Sequence, residues 1–391
     1  MNKAVLQPEV QQFINDNLKS DITKLILKGS PFDAISVQEL ANQIIAKQKS
    51  EQKLPTWFCT ENIYYPAKIS IEQTSSEIAA AYKSKIVSGN SIIDITGGFG
   101  IDAFYFSKQF TNVLHCEINS ELSTIVRHNY QQLGAENIDT FSGNGFDFLK
   151  NTENSFDCIY IDPSRRNDAK GKVFLLKDCQ PNITPKIDFF FSKASKILIK
   201  VSPILDITNT INDLKNVKEI HIVAIDNEVK ELLFLLEKEY KKSIEIKTIN
   251  FKKHLSETFD FPYLEEVISE YSEPLSYLYE PNSAILKSGG FYQISKKLNL
   301  YKLHQHSHLY TSEKMIDFPG RIFKILNVIS YDKKNLKNLF LDKKANITTR
   351  NFPKTVAQIR KETNLKEGGF NYLFFTTNLK NILKVIVCEK I

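Results

Sequence analysis

Two short stretches of this chain carry the residue types that could do chemistry. The first is Ser91-Ile-Ile-Asp-Ile-Thr-Gly-Gly-Phe-Gly-Ile-Asp102. Gly97, Gly98 and Gly100 stand where a β-branched run must turn into a helix, and glycine there lets a ligand approach the backbone. Free N–H groups at such a helix start attract a ligand's negative groups. The spacing Gly98-x-Gly100-x-x-Ala103 also fits a dinucleotide fingerprint. The second stretch is Ile161-Asp-Pro-Ser-Arg-Arg166. Asp162 would flank a reacting group, Pro163 stiffens the loop, and Arg165 and Arg166 could hold a phosphate or serve as ion-pair partners.

Asp94 decides between ligands for the glycine turn. A carboxylate just before the turn would crowd a pyrophosphate, which argues against a dinucleotide oxidoreductase. It suits the cationic amino-acid end of S-adenosyl-L-methionine, or else it caps the turn. Glu117, 23 residues further on, ends the next strand, where a carboxylate accepts both ribose hydroxyls or else is an acid favoured by the dipole of the following helix. Asn144 follows the third strand, where its amide would face the adenine or else occupy a tight Gly-Asn-Gly turn.

These residues need a frame. Strands are expected at 91–95, 113–117, 138–142, 156–161, 196–201, 220–224 and 244–250. Helices are expected between them, at 101–109, 119–133 and 229–236 among others. Such alternation predicts a Rossmann-like, mostly parallel seven-stranded sheet with helices on both faces. The loops after the first and fourth strands then flank the crevice where ligands bind. Lys200 and Ser202-Pro203 end the fifth strand beside it, either lining the substrate side or as surface groups.

Ahead of this core, Val10, Phe13, Ile14, Leu18, Ile22, Leu25 and Ile26 recur at helical spacing, and Ser36-x-x-Glu39 reads as a capping box. Trp57, the one tryptophan, reads as a packing residue. The expected layout is an N-terminal helical region and connector at 1–65, the core at 66–250, and two small α/β modules at 251–318 and 319–391. The last is read as strand, helix (334–340), extended segment, helix and two strands. His304, His306 and His308 alternate, so a strand would put them on one face. No cysteine or acid cluster accompanies them, and no metal is assigned.

Composition narrows the class. The chain has 391 residues, 42% hydrophobic and 25% charged, ordinary for a globular protein. It has no apolar run long enough to span a membrane and no signal-peptide pattern at its start. Five scattered cysteines without a CxxC fit a reducing cytoplasm. The net charge of +6 is unevenly placed: residues 319–361 hold eleven Lys and Arg against two acids, Asp332 and Asp342. Segregated positive charge points to a nucleic-acid backbone. Nothing marks an obligate protein partner.

The motifs DITGGFGID, CEIN, the turn after the third strand, and DPSRR resemble those of class I S-adenosylmethionine-dependent methyltransferases. EQTSSEIAAAYKS, LIKVSPILDI, YEPNSAILKSGGF, ITTRNFPKTVAQIRKE and GGFNYLFF are similar, more narrowly, to bacterial members with a ferredoxin-like module and a C-terminal THUMP-like domain. The resemblance runs from about residue 54 onward. It implies a cofactor set of Asp94, Thr96, Gly97, Gly98, Gly100, Glu117, Ile118, Asn144 and Asp162, and a reaction loop of Asp162, Pro163, Arg165 and Arg166. It also implies an RNA substrate, tRNA or rRNA, bound through 319–391. Ser164-Arg165 replaces the Pro-aromatic pair of many amino-group methyltransferases, which counts against N6-adenine and N2-guanine as targets. The alternatives are an RNA-binding protein with a weakly active core and a small-molecule methyltransferase.

Overall fold

A computed structural model of the chain describes residues 1–66, 68–165, 175–253, 255–332 and 344–391. Arg166 and the expected helix at 334–340 lie outside the described residues. The chain forms two compact units, Met1–Lys218 with Leu233–Lys241, and Glu219–Leu232 with Lys242–Ile391.

The first unit begins with helices α1 (Pro8–Asp16), α2 (Ile22–Lys28), α3 (Val37–Lys53), α4 (Pro55–Cys59), α5 (Lys68–Gln73) and α6 (Glu77–Ser84). Ser36 caps α3 by accepting the N–H of Glu39 at 3.2 Å. The reciprocal half of the box is missing, because the Glu39 carboxylate instead accepts Tyr64 Oη at 2.9 Å and Asn2 Nδ2 at 3.0 Å. Trp57 is fully buried, edge-on to Phe104 at 4.9 Å between ring centroids. Glu77 ties α4 to the core, accepting the N–H and Oγ1–H of Thr56 and the hydroxyl of Tyr105, each at 2.7 Å.

The core follows as β1 (Ser91–Asp94), α7 (Ile101–Phe106), β2 (Asn112–Glu117), α8 (Ser120–Gln132), β3 (Ile138–Ser142), α9 (Gly145–Asn151) and β4 (Phe156–Ile161). A short ladder pairs β5 (Ser164–Arg165) with β6 (Cys179–Gln180). Then come α10 (Ile187–Lys193), β7 (Ala194–Val201), α11 (Ile207–Asp213), β8 (Val217–Ile225) and β9 (Glu228–Glu237). The strand order in this unit is β3-β2-β1-β4-β7-β9. The pairs from β3 to β7 are all parallel. Ile92, Ile93, Ile159, Ile161, Ile197, Leu198 and Ile199 are fully buried, as expected of strands covered on both faces. Burying each is worth about 1.5–3 kcal/mol. The order reverses at β1, between β2 and β4, so the crevice opens at their carboxyl ends.

The helix expected at 229–236 is instead the strand β9. Asp226 and Asn227 have φ of 49° and 64°, the two left-handed residues of a tight hairpin turn from β8. Leu232, Leu233, Phe234, Leu235 and Leu236 are all buried. A helix would have exposed one side of that run, whereas an interior strand buries both faces.

In the second unit the order runs β9-β8-β10-β11, with β10 (Glu245–Phe251) parallel to β8 and β11 (Ser256–Pro262) antiparallel to β10. The chain continues through β12 (Tyr277–Pro281), α12 (Ser283–Ser288), α13 (Phe291–Lys297), β13 (Tyr301–Lys302), β14 (Tyr310–Ser312), β15 (Gly320–Ser330), β16 (Asn346–Thr349), α14 (Val356–Thr363), β17 (Asn371–Thr377) and β18 (Leu383–Lys390). Seven of these strands form one sheet, ordered β13-β14-β12-β15-β18-β17-β16. Alternate residues of β17 feed two cores: Leu373 and Phe375 pack with Ile359 of α14, and Phe374 packs with Leu278 and Phe323. The three histidines share no strand face. His304 Nδ1 meets Asn351 Nδ2 at 2.9 Å, and His308 stacks on Phe291 at 3.6 Å.

Candidate active site

β1 delivers Asp94 to the crevice, only 2% exposed. Its carboxylate accepts the N–H and Oγ1–H of Thr96 at 2.9 and 3.2 Å. Thr96 Oγ1 in turn accepts the N–H of Asp162 at 2.7 Å. One chain of hydrogen bonds therefore joins the loops after β1 and β4. The Ile95 N–H adds a bond to the Tyr160 carbonyl at 3.2 Å.

The glycine turn is held from β2. Gly97 N–H donates to the Cys116 carbonyl at 2.9 Å, and Gly98 N–H to Glu117 Oε2 at 2.8 Å. Glu117 Oε1 accepts the N–H of Asn119 at 2.7 Å. Each carboxylate oxygen is thus anchored by one backbone donor and keeps acceptor capacity for a hydroxyl. Gly100 adopts φ of 80° at the start of α7, and a Cβ there would lie 2.2 Å from Tyr130 Oη. Ile118, beside Glu117, is 73% exposed, an apolar face at the mouth of the crevice. Asn144 is exposed and spends its Oδ1 on capping α9, accepting Phe146 N–H at 2.9 Å and Asp147 N–H at 3.4 Å. Its amide nitrogen carries no part of that cap.

Asp162 is half-exposed and pairs with Lys200 from the end of β7. Pro163 is buried, and the backbone of Ser164 and Arg165 is fixed by the β5–β6 ladder.

A further network lies behind these residues and was not singled out from the sequence. Asp102, in the first turn of α7, pairs with the fully buried Lys83 at 2.9 Å. It also accepts Ser75 Oγ at 3.0 Å and Tyr160 Oη at 2.8 Å. Lys83 donates to Ser75 Oγ at 2.7 Å. A lysine two residues after the small-residue run Ala79-Ala80-Ala81 was the available signal.

Electrostatics separates the carboxyls. Burial pushes the Asp94 carboxyl up to about 8, with Thr96 opposing and Asp102 and Asp162 adding to the rise. Burial would raise Asp102 too, but the ammonium groups of Lys83 and then Lys200 outweigh it and hold Asp102 below the ordinary carboxylate range. Among the described residues, Lys83 pairs with Asp102 and Lys200 with Asp162, while Asp94 has no ion pair. A single ligand cation would complete the balance. The turn rests on His115, whose burial lowers its pKa to about 4 and leaves it neutral.

Gly97 shows how tightly the turn is seated. A Cβ there would lie 2.4 Å from His115 Nε2 and 2.7 Å from the Cys116 carbonyl oxygen. The backbone oxygen has no room to retreat. Gly97→Ala is expected to cost about 1–3 kcal/mol of stability, read from urea unfolding. An unchanged midpoint would contradict the packing described.

The family models place a ferredoxin-like domain at residues 277–319 and a THUMP-like domain at 320–390. A protein from Porphyromonas gingivalis W83, described as a candidate methyltransferase, is 30% identical, with 99% of this chain and 98% of that chain covered and a TM-score of 0.89. The chain belongs to that family. Its fold is that of class I methyltransferases, extended by the ferredoxin-like and THUMP-like domains. Two weaker likenesses each cover less than half of this chain. TrmK of M. capricolum, solved with S-adenosylhomocysteine, is 18% identical over 45% of this chain and 70% of its own, with a TM-score of 0.32. An rRNA methylase of Streptococcus thermophilus is 12% identical over 41% and 94%, with a TM-score of 0.30. Comparison with the curated proteins returned no match.

Proposed function

We propose that the chain is an S-adenosyl-L-methionine-dependent methyltransferase acting on structured RNA, tRNA or rRNA. The observation that carries the cofactor is Asp94: a buried carboxyl that accepts hydroxyl and N–H donors but no cation among the described residues, beside a glycine turn and the anchored Glu117. Asp94 would hold the ligand ammonium, Glu117 the ribose hydroxyls, and Ile118 one face of the adenine. Asn144 would meet the adenine edge through its amide nitrogen. Thr96, Gly97, Gly98 and Gly100 would shape the floor beneath the methionine portion.

When bound, the cofactor supplies an activated methyl group for in-line transfer. The protein's part is to place the nucleophile. Asp162, steadied by Lys200, would accept a hydrogen bond from the nucleophile and so orient it. Pro163 keeps that loop stiff, and Arg165 and Arg166 grip a phosphate of the substrate. Most of the acceleration then comes from alignment. The basic excess of 319–361 and the THUMP-like domain support RNA as substrate. No helix among the described residues is long and apolar enough to cross a membrane.

Calorimetry tests the cofactor: S-adenosylmethionine and its demethylated product should bind with micromolar affinity. A folded protein that binds neither, with and without total tRNA and rRNA present, would refute the reading.

A further inference from the structure

Phe370 is 91% exposed, an energetically poor place for a phenyl ring. It is not displayed by a slack loop. Gly368 and Gly369 have φ of 107° and 78°, a path that side chains resist, and lead directly into Phe370, the residue before β17. Asn346, on the neighbouring β16, donates through Nδ2 to the Gly369 carbonyl at 2.9 Å and the Asn371 carbonyl at 3.4 Å. One side chain therefore clamps the backbone on both sides of the ring. The loop's other end is fixed as well. Arg360 of α14 donates to the Leu365 carbonyl at 3.1 Å and the Ala345 carbonyl at 3.4 Å, and Ala345 N–H donates to the Lys366 carbonyl at 2.9 Å.

The charges beside the ring point to a polyanion. Lys344 and Lys366 sit directly opposite each other in a parallel bridge, and both are exposed. Lys361 is exposed in the last turn of α14. Glu367 is the acid within the loop itself, and Glu362 on α14 is already engaged by Lys354 and Tyr331. A rigid exposed aromatic next to paired cations is the combination that holds single-stranded nucleic acid, the ring stacking on a base and the cations meeting its phosphates.

From this juxtaposition we infer that Phe370 is a stacking platform for an unpaired base of the RNA substrate, with Lys344 and Lys366 holding the adjoining phosphates. The inference rests on the proposed RNA reading and adds to it a requirement for an unpaired base at this loop. The catalytic crevice of the first unit plays no part in it.

The test uses the full-length protein and a fluorescein-labelled single-stranded RNA oligonucleotide, with a blunt RNA duplex of the same length beside it. Phe370→Ala should weaken single-strand binding by about 5- to 150-fold, the range for losing one stacked base, while duplex binding stays as in wild type. Phe370→Trp should keep or tighten it. Lys344→Gln with Lys366→Gln should flatten the salt dependence by about 1.4 in the log–log slope. Equal single-strand affinity of wild type and Phe370→Ala would overturn the platform while leaving RNA binding in place. Failure of the wild type to bind either RNA would instead remove the RNA reading on which it rests. Loss of self-association in Phe370→Ala, with RNA affinity unchanged, would overturn it in favour of a contact between copies of the chain. Because the ring is exposed, its removal leaves the fold intact, and the Trp variant controls for loop geometry.

Discussion

Binding of S-adenosylmethionine is expected to expel close to one proton at pH 7, and Asp94→Asn is expected to abolish that release. The Asp94 carboxyl is raised to about 8 by burial, against the opposing Thr96 N–H and with Asp102 and Asp162 adding to the rise. About nine-tenths of it is then protonated at pH 7. A ligand ammonium seated on it favours the ionised form, so the proton must leave. The groups around it do not obscure the signal. Burial holds the Tyr130 hydroxyl and the Cys116 thiol protonated, His115 is lowered to about 4, and Asp102 stays ionised against Lys83 and Lys200. Affinity should therefore climb by up to about tenfold per pH unit between pH 6 and 8, then level as the ligand's own α-ammonium begins to titrate. Asp94→Asn keeps the shape without the charge. At pH 8 it should bind about 10- to 150-fold more weakly, the worth of a charged hydrogen bond, with a flatter pH profile. Calorimetry in buffers of different ionisation enthalpy counts the proton directly. Equal release from wild type and variant would show that Asp94 does not meet the ammonium. The ligand-free protein gives the opposite sign. Its folded state holds this proton above the unfolded value, so stability falls as pH rises from about 4 through 8, and Asp94→Asn gains on wild type over that range.

What could be read from the sequence was what is local in it. Asp94, Thr96 and the three glycines lie within seven residues, and Glu117 ends the next strand. Their expected neighbourhood needs only one strand, one turn and the alternation of strands and helices, and the structure brings them together. Asp162 follows from the same topology, because β4 neighbours β1. The network behind them joins Ser75, Lys83, Asp102 and Tyr160, each from a different element or connection, and no local pattern links such residues. Asn144 shows the limit of reading a residue by its place after a strand. A helix starts at the next residue, and the N-terminal N–H groups of α9 compete for its side-chain oxygen. β9 was misread for a related reason. Leu, Glu and Lys favour a helix, but burial on both faces of a sheet overrides propensity, and the informative signal was the Asp226-Asn227 pair that turns the chain back.

Lys83→Met is expected to destabilise the first unit strongly. The ammonium is fully buried, and its removal leaves the Asp102 carboxylate with the hydroxyls of Ser75 and Tyr160 and the more distant charge of Lys200 among the described residues. Stranding one half of a buried pair typically costs about 3–5 kcal/mol, or about 6–20 °C in Tm for a unit of this size. The cost should depend on pH in a defined direction. In wild type Asp102 is held below its unfolded value, so its contribution is present above about pH 4 and is lost as pH falls through the folded value. Without Lys83 the opposition to burial weakens and the carboxyl rises, so the variant gains less stability than wild type as pH rises. The gap between the two proteins should therefore widen from pH 4 to pH 8. Adding Asp102→Asn to Lys83→Met removes the stranded charge and should recover part of the loss, most of all at pH 8. Denaturant unfolding of the four proteins of this cycle at both pH values measures the coupling. A Lys83→Met penalty that is equal at pH 4 and pH 8 would mean that the ammonium acts by filling space, and that Asp102 carries no buried charge into the crevice.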